Sequence, residues 1–401
     1  MRFHILGLGP IGNLISHHLR RALPRDQHSI TLIHKSQSQA NTALLQGGIH
    51  IENQGVVTAA DGFQQEVFEL SPQAYNSDLA RKFLGSETIE SLFITTKAHQ
   101  TVPAVRRLLP RLSPNTTIVL MQNGMGIYEE LVHDIFRNPE KRPQFILASN
   151  THGVYRKNTT SLFVHAGIGE IQFGIVPDPA QRNFEASLED PVVPKQQRRP
   201  RLSDITPATD DPLHERYRSL RDTVAALLVM EPLNVSWQPM LQMQTSMRRK
   251  LVANAVINPL TALMGCRNGD IFHTNAAQRI MQRVCQEASD AFAAQIKADS
   301  QAWLTGLADQ GANTTNIAVQ RLPRSLTRQA LEEEVQRVAQ ATKGNISSML
   351  ADVRRGRSTE VDFINGYLLK LGSTYRVEMP ATATLLNLVK MRSAIPVDQM
   401  L

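Results

Sequence analysis

An α/β domain followed by an all-α domain is the architecture this sequence predicts, on three observations. Short apolar runs alternate with helix-length amphipathic segments over roughly the first 175 residues. A glycine-rich turn separates the first apolar run from the first helix. Beyond about residue 239 the strand signals vanish, and apolar residues recur at helical spacing.

The strand candidates are Met1–Leu6, Ser29–His34, Ser91–Thr95, Thr117–Met121, Phe145–Asn150 and Glu170–Ile175. Most end at polar or Gly-rich turns, as βα units require. Between Pro177 and Pro212 the texture changes to seven prolines, clustered charge and few large apolar residues. This stretch, 177–212, reads as a disordered insertion or long surface loop. Arg216–Met230 then reads as a helix and Leu233–Gln238 as one more strand. The predicted division is therefore 1–238 for the α/β domain and 239–401 for the helical one. Helical periodicity covers Gln242–Leu263, Ala276–Lys297, Arg328–Gly344, Ile346–Arg354, Val361–Leu371 and Ala381–Met391, with Ala298–Arg324 as an extra helix and loops.

Gly7-Leu8-Gly9-Pro10-Ile11-Gly12 follows the first strand and opens the first helix. Gly7 permits a tight turn, Gly9 lets backbone approach a pyrophosphate, and Gly12 lets helix and strand pack closely. The helix N-terminus would turn free N–H groups toward the phosphates. This is the Rossmann order of strand, glycines and helix, and it predicts a dinucleotide site. The second strand runs into Lys35 where an NAD site carries an acid on the ribose. A cation there, with help from Ser36 and His34, favours NADP(H). Two other strand ends lead into Lys97 and Asn123, which are thus placed either to meet a ligand or as ordinary loop residues.

In the second domain Lys250, Asn254 and Asn258 stand at i, i+4 and i+8, one polar stripe on an otherwise apolar helix. Buried amides need partners, so the stripe holds either a neighbouring helix or a ligand. Pro259 should bend or end this helix. Later, Asn345, Ser347 and Ser348 begin a helix, and Thr359 with Asp362 suggests a capping box for the next. The cap accounts for the acids there; alternatively Glu360 pairs with Lys250.

The blocks GLGPIG, TTKAHQT, QNGMG, RRKLVANAVINPLTAL, NISSML and STEVDFINGYLL, in this order, resemble the ketopantoate reductases (2-dehydropantoate 2-reductases). The resemblance covers both domains and is most specific at Lys-x3-Asn-x3-Asn-Pro-Leu-Thr-Ala. It implies a C-terminal domain like that of 6-phosphogluconate dehydrogenase. It further implies NADPH-dependent reduction of 2-dehydropantoate to (R)-pantoate, in pantothenate and coenzyme A biosynthesis. On this resemblance Gly7 to Gly12 bind the pyrophosphate, Lys35 the 2′-phosphate, and Lys97, Asn123 and Gly153 the cofactor. Lys250 is the proton donor, Glu360 orients it or contacts the cofactor, and Asn254, Asn258, Asn268 and Ser348 hold the 2-oxo acid. The alternatives are a paralogue acting on another 2-oxo acid, and a non-catalytic NADP-binding sensor.

Composition agrees with these classes. The chain of 401 residues is 42% apolar and 20% charged, with a net charge of +7 spread along it. Diffuse positive charge suits an anionic cofactor and an anionic substrate, and no nucleic-acid motif accompanies it. No run of apolar residues is long enough to span a membrane. The two cysteines, Cys266 and Cys285, form neither a metal motif nor a disulfide framework, and no metal is expected. With no presequence in view a cytoplasmic location is expected, an organellar one staying open. The oligomeric state, a homodimer included, also stays open.

Overall fold

The structure, a computed structural model, describes residues 1–68, 85, 87–157, 161–206, 211–311, 313–315, 317 and 319–395. The chain divides into two units. The first holds Met1–Gln122 and Ile127–Met243, the second Asn123–Gly126 and Gln244–Leu401.

The first unit contains, in order, β1 (Arg2–Leu6), α1 (Pro10–Ala22), β2 (Ser29–His34), α2 (Gln37–Leu45), β3 (Ile49–Asn53), β4 (Val56–Ala60), β5 (Gln64–Val67) and β6 (Ser91–Ile94). Next come α3 (Ala98–Leu108), β7 (Thr117–Leu120), α4 (Ile127–Asp134), β8 (Gln144–Asn150), β9 (Gly153–Arg156), β10 (Leu162–Gly167) and β11 (Ile171–Ile175). The unit ends with α5 (Leu202–Ile205), α6 (His214–Leu228) and β12 (Val235–Trp237). Among the described residues eight strands form a sheet in the order β12-β11-β8-β7-β6-β1-β2-β5. Only β8 and β11 pair antiparallel; the other neighbours are parallel. The chain leaves β1 for β2 on one side and later returns to β6 on the other. That switch point is where an open α/β sheet leaves a crevice beyond its carboxyl ends. The inner strands are buried throughout, Phe3, Ile5, Phe93 and Val119 completely so.

A second sheet, β4-β3-β10-β9, was not anticipated from the sequence. Its strands are short and carry polar residues such as His50 and Glu52 between apolar ones. Gln54 and Gly55, both at positive φ, make the tight turn from β3 to β4. The sheet lies against α1, where His17 Nδ1 is 3.1 Å from the Ile49 carbonyl.

The stretch 177–206 corrects the expectation of a disordered loop. Phe184 and Ile205 enter the core of the first unit, and the Phe184 ring packs edge-on against Tyr217, centroids 5.6 Å apart. The Tyr217 hydroxyl donates to the buried Asp178 carboxylate. Arg182 pairs with Asp211 at 3.0 Å, and Ser187 Oγ donates to Asp204 at 2.6 Å. Prolines and charges set the composition of this stretch, but two apolar anchors and bonds between side chains set its structure.

The second unit is helical: α7 (Met240–Met264, whose first four residues group with the first unit), α8 (Asn275–Asp309), α9 (Arg328–Ala341), α10 (Ser348–Arg354), α11 (Val361–Tyr375) and α12 (Pro380–Ala394). Val252, Val256, Phe292, Leu331, Leu368 and Val389 are fully buried in its core. The extra residues after 297 first prolong α8 to Asp309 rather than start a new helix. Buried Glu287 accepts the backbone N–H groups of Ala381 and Thr382, both at 2.9 Å, and so satisfies the start of α12.

Two local expectations need correction. α7 does not end at Pro259 but continues to Met264. Proline supplies no N–H to the Ala255 carbonyl one turn back, and Asn365 Nδ2 donates to that carbonyl instead, at 3.0 Å. An unmet buried acceptor would cost about 1–3 kcal/mol. The cap of α11 is Glu360 rather than Thr359, and Asp362 turns outward to Lys390, 2.6 Å away.

Candidate active site

The glycine turn is built as its sequence requires. Gly7 lies at φ +104, where a Cβ would fall 2.4 Å from the Thr96 nitrogen. A Cβ on Gly12 would fall 2.1 Å from the Gly7 carbonyl oxygen. Side chains at either position are therefore excluded by backbone. Gly9 differs: it is exposed and a Cβ there would meet nothing within 4 Å, which leaves open space at the start of α1. Pro10 occupies the first turn, which contains no acidic residue, while Leu8 and Ile11 pack against the core. Asn13 Nδ2 donates to the Leu8 and Gly9 carbonyls at 2.9 Å each, and Thr95 Oγ1 donates to the Gly7 carbonyl. Asn13 and Thr95 escaped the sequence reading; the polar residue inside an apolar helix face was the available signal.

An open, unblocked helix N-terminus with positive dipole fits the phosphates of a dinucleotide. Lys35, exposed, follows β2. Of its expected helpers, Ser36 instead caps α2, accepting from the Gln39 N–H. His34 is buried against Gln65, Nε2 to Oε1 2.5 Å, and burial lowers its pKa, so it adds no charge. Lys97, half-buried, caps α3 at the end of β6. Gly153 opens β9 opposite Gly167.

Within the second unit, α7 carries Lys250, Asn254 and Asn258. Around the stripe, Leu251, Val252, Ala255, Val256 and Ile257 are buried. The three cations that open the block have separate surroundings. Arg248 lies over the Phe292 ring, 5.5 Å from its centroid, and donates to Gln295 at 3.0 Å. Arg249 donates to buried Glu334 at 2.7 Å, where Arg337 also binds. Lys250 is half-buried. Loss of hydration lowers its pKa to about 8, against the upward pull of Glu360. Glu360 is itself buried, and its carboxylate does not cap α11.

The other expected groups differ in their freedom. Asn258 is buried and Asn254 half-buried. Asn268 is tied to the end of α9: its N–H donates to the Asn345 carbonyl at 3.0 Å and its Nδ2 to Thr342 at 2.9 Å. Its Oδ1 is buried with no donor among the described residues. Ser347 caps α10 and accepts from Thr261 at 2.7 Å, leaving the adjacent Ser348 exposed. Asn123 sits in the loop Asn123–Gly126, which groups with the second unit. Gly124, at φ +86, allows that loop to reach α11, where Met125 N–H donates to the Phe363 carbonyl at 3.0 Å. The Asn123 loop and the Glu360 turn are thereby brought together. Among the described residues no cluster of potential ligands suits a metal ion, and no helix is long and apolar enough to cross a membrane.

Family models match a large part of each unit. Residues 3–178 match "Ketopantoate reductase PanE/ApbA" and residues 242–393 match "Ketopantoate reductase PanE/ApbA C terminal". The chain belongs to the ketopantoate reductase family. Among its relatives in that family, a probable 2-dehydropantoate 2-reductase of Schizosaccharomyces pombe is 25% identical over 97% of this chain and 95% of its own. The 2-dehydropantoate 2-reductase of Shigella flexneri is 27% identical over 77% of this chain and 75% of its own. The solved structure of D-mandelate dehydrogenase with NADH and anilino(oxo)acetate shares the fold, with a TM-score of 0.66 at 14% identity, covering 98% of this chain and 99% of that one.

Proposed function

We propose that this protein reduces 2-dehydropantoate to (R)-pantoate with NADPH, in the cytoplasm, as a step toward pantothenate and coenzyme A. The observation that carries the reading is Lys250, an ammonium on an apolar helix whose pKa is lowered to about 8 beside Glu360. An acid of that strength is matched to proton transfer near neutral pH. As the keto carbon accepts hydride, its oxygen gains negative charge; Lys250 stabilises that charge and protonates the oxygen. A reduced nicotinamide, when bound, supplies the hydride.

In this reading residues 1–238 form the cofactor domain and 239–401 the substrate domain. Gly7, Leu8, Gly9, Pro10, Ile11 and Gly12 cradle the pyrophosphate, and Lys35 meets the 2′-phosphate. Lys97 and Asn123 contact the cofactor closer to its reacting end, and Gly153 contacts it through its main chain. Asn254, Asn258 and Ser348 donate to the oxygens of the 2-oxo acid. Asn268, whose Nδ2 donates to Thr342, offers Oδ1 to a substrate hydroxyl. Glu360 keeps Lys250 charged and aimed.

The test is NADPH oxidation with 2-dehydropantoate beside a panel of other 2-oxo acids, repeated with NADH. Selective turnover of 2-dehydropantoate with NADPH is expected. Turnover of a different acid alone would reassign the substrate, and NADPH binding without any turnover would sink the enzymatic reading.

A further inference from the structure

We infer that Asn365 is a positioning residue for the lysine helix: by replacing the backbone donor that Pro259 lacks, it sets the register of α7 on α11 and hence the separation of Lys250 from Glu360. The inference rests on the reading of Lys250 as proton donor. In an α-helix the carbonyl of residue 255 accepts from the N–H of residue 259. Pro259 has no N–H, yet α7 runs through it. Asn365, fully buried, fills the gap from α11 with Nδ2 3.0 Å from the Ala255 oxygen.

Spacing makes that bond matter for the site. Ala255 stands five residues beyond Lys250, and Asn365 five beyond Glu360. At 1.5 Å per residue, the Asn365–Ala255 bond lies roughly 7–8 Å along α7 from Lys250 and a similar distance along the chain from Glu360. That bond resists sliding of one helix past the other, which would change the distance from Lys250 to Glu360. The remaining amide atom, Asn365 Oδ1, is buried without a donor among the described residues. A leucine of similar size would fill this place without leaving a polar atom unmet, so it is the N–H donation to Ala255 that calls for an amide. The charged neighbours Arg248 and Arg249 are held by Gln295 and Glu334, and the charge of Glu360 acts on Lys250.

Asn365→Leu removes the donor, and Pro259→Ala restores an N–H to the same carbonyl from within α7. The full-length single and double variants are compared for kcat, KM, the basic limb of the pH profile, and the titration of Lys250 followed by NMR of labelled lysine. Asn365→Leu should lower kcat by about ten- to a hundredfold, the scale of a small misplacement, with less change in the KM for NADPH. Lys250 should titrate at lower pH as Glu360 slips away. Adding Pro259→Ala should recover most of both, and should restore folding should the single variant fail to fold. An unmoved Lys250 titration in Asn365→Leu, or a double variant no better than the single, overturns the inference. Turnover that survives Lys250→Ala would instead overturn the functional reading, while the lysine titration would still report on Asn365.

Discussion

His165 Nε2 lies 3.0 Å from His152 Nδ1, and only one of these nitrogens can carry the proton between them. His152 Nδ1 also accepts the Gly169 N–H at 2.9 Å, and His152 Nε2 faces the Leu233 carbonyl at 3.0 Å. His152 is thus neutral with its proton on Nε2, and His165 donates. Burial lowers the pKa of both. On α1 of the same unit, burial lowers His17 to about 4 and His18 to about 3. These groups bind protons more readily in the unfolded chain, so stability falls as pH drops from about 6.5 toward 3 and levels off below. His17 alone, at about 3 kcal/mol, makes the effect large. Urea midpoints at pH 7.5 and pH 5 should differ accordingly, and His17→Asn should shrink the difference. Equal midpoints in the wild-type protein would refute the neutral cluster.

Lys35 offers a separate prediction, of cofactor choice. It is exposed after β2 and no acid stands in the first turn of α1. A charged hydrogen bond is worth about 1.5–3 kcal/mol, so Lys35→Asp should weaken NADPH by about ten- to a hundredfold. NADH, which lacks the 2′-phosphate, should lose little. Isothermal titration with both cofactors decides, and equal losses would remove Lys35 from recognition.

The 177–206 stretch should prove structural when cut. Phe184 is 3% exposed and stacks edge-on with Tyr217. Removing such a ring costs about 3–5 kcal/mol, so Phe184→Ala should lower the urea midpoint sharply. Val192→Ala, 88% exposed in the same stretch, should change it little. A midpoint unchanged in Phe184→Ala would return this stretch to the status of a loop.

These contrasts show what the sequence can and cannot disclose. Strands such as Ser91–Ile94 are buried on both faces and therefore read as apolar runs. The second sheet has a solvated face, so His50 and Glu52 interrupt its pattern. Composition hid the anchoring of 177–206 because two apolar side chains suffice to pin a segment rich in proline. The stripe of Lys250, Asn254 and Asn258 was visible from helical spacing alone. The diversion of Arg248 and Arg249 to other partners was not, since their acceptors lie 47 and 85 residues away. Asn365 had a readable cue in Pro259, because a proline inside helical periodicity implies a carbonyl in need of another donor.

The role proposed for Lys250 sets function and stability in opposite directions. Its pKa falls from 10.5 to about 8 in the folded chain, so the unfolded chain holds this proton more tightly between those values. Stability therefore rises as pH climbs from 8 to 10.5, and at pH 7 the charged lysine costs the fold up to about 3 kcal/mol. Lys250→Met should raise the urea midpoint at pH 7 while lowering turnover by about a hundred- to ten-thousandfold, the range for a lost general acid. NADPH affinity, measured by titration, should stay near wild type. The proposed role requires Lys250 to be protonated, so kcat/KM of the wild-type protein should fall tenfold per unit above about pH 8. Lys250→Arg keeps a charge but cannot release its proton in that range, so its residual rate should show no such fall. A wild-type profile flat to pH 10, or a Met variant both active and no more stable, would move the proton donor elsewhere.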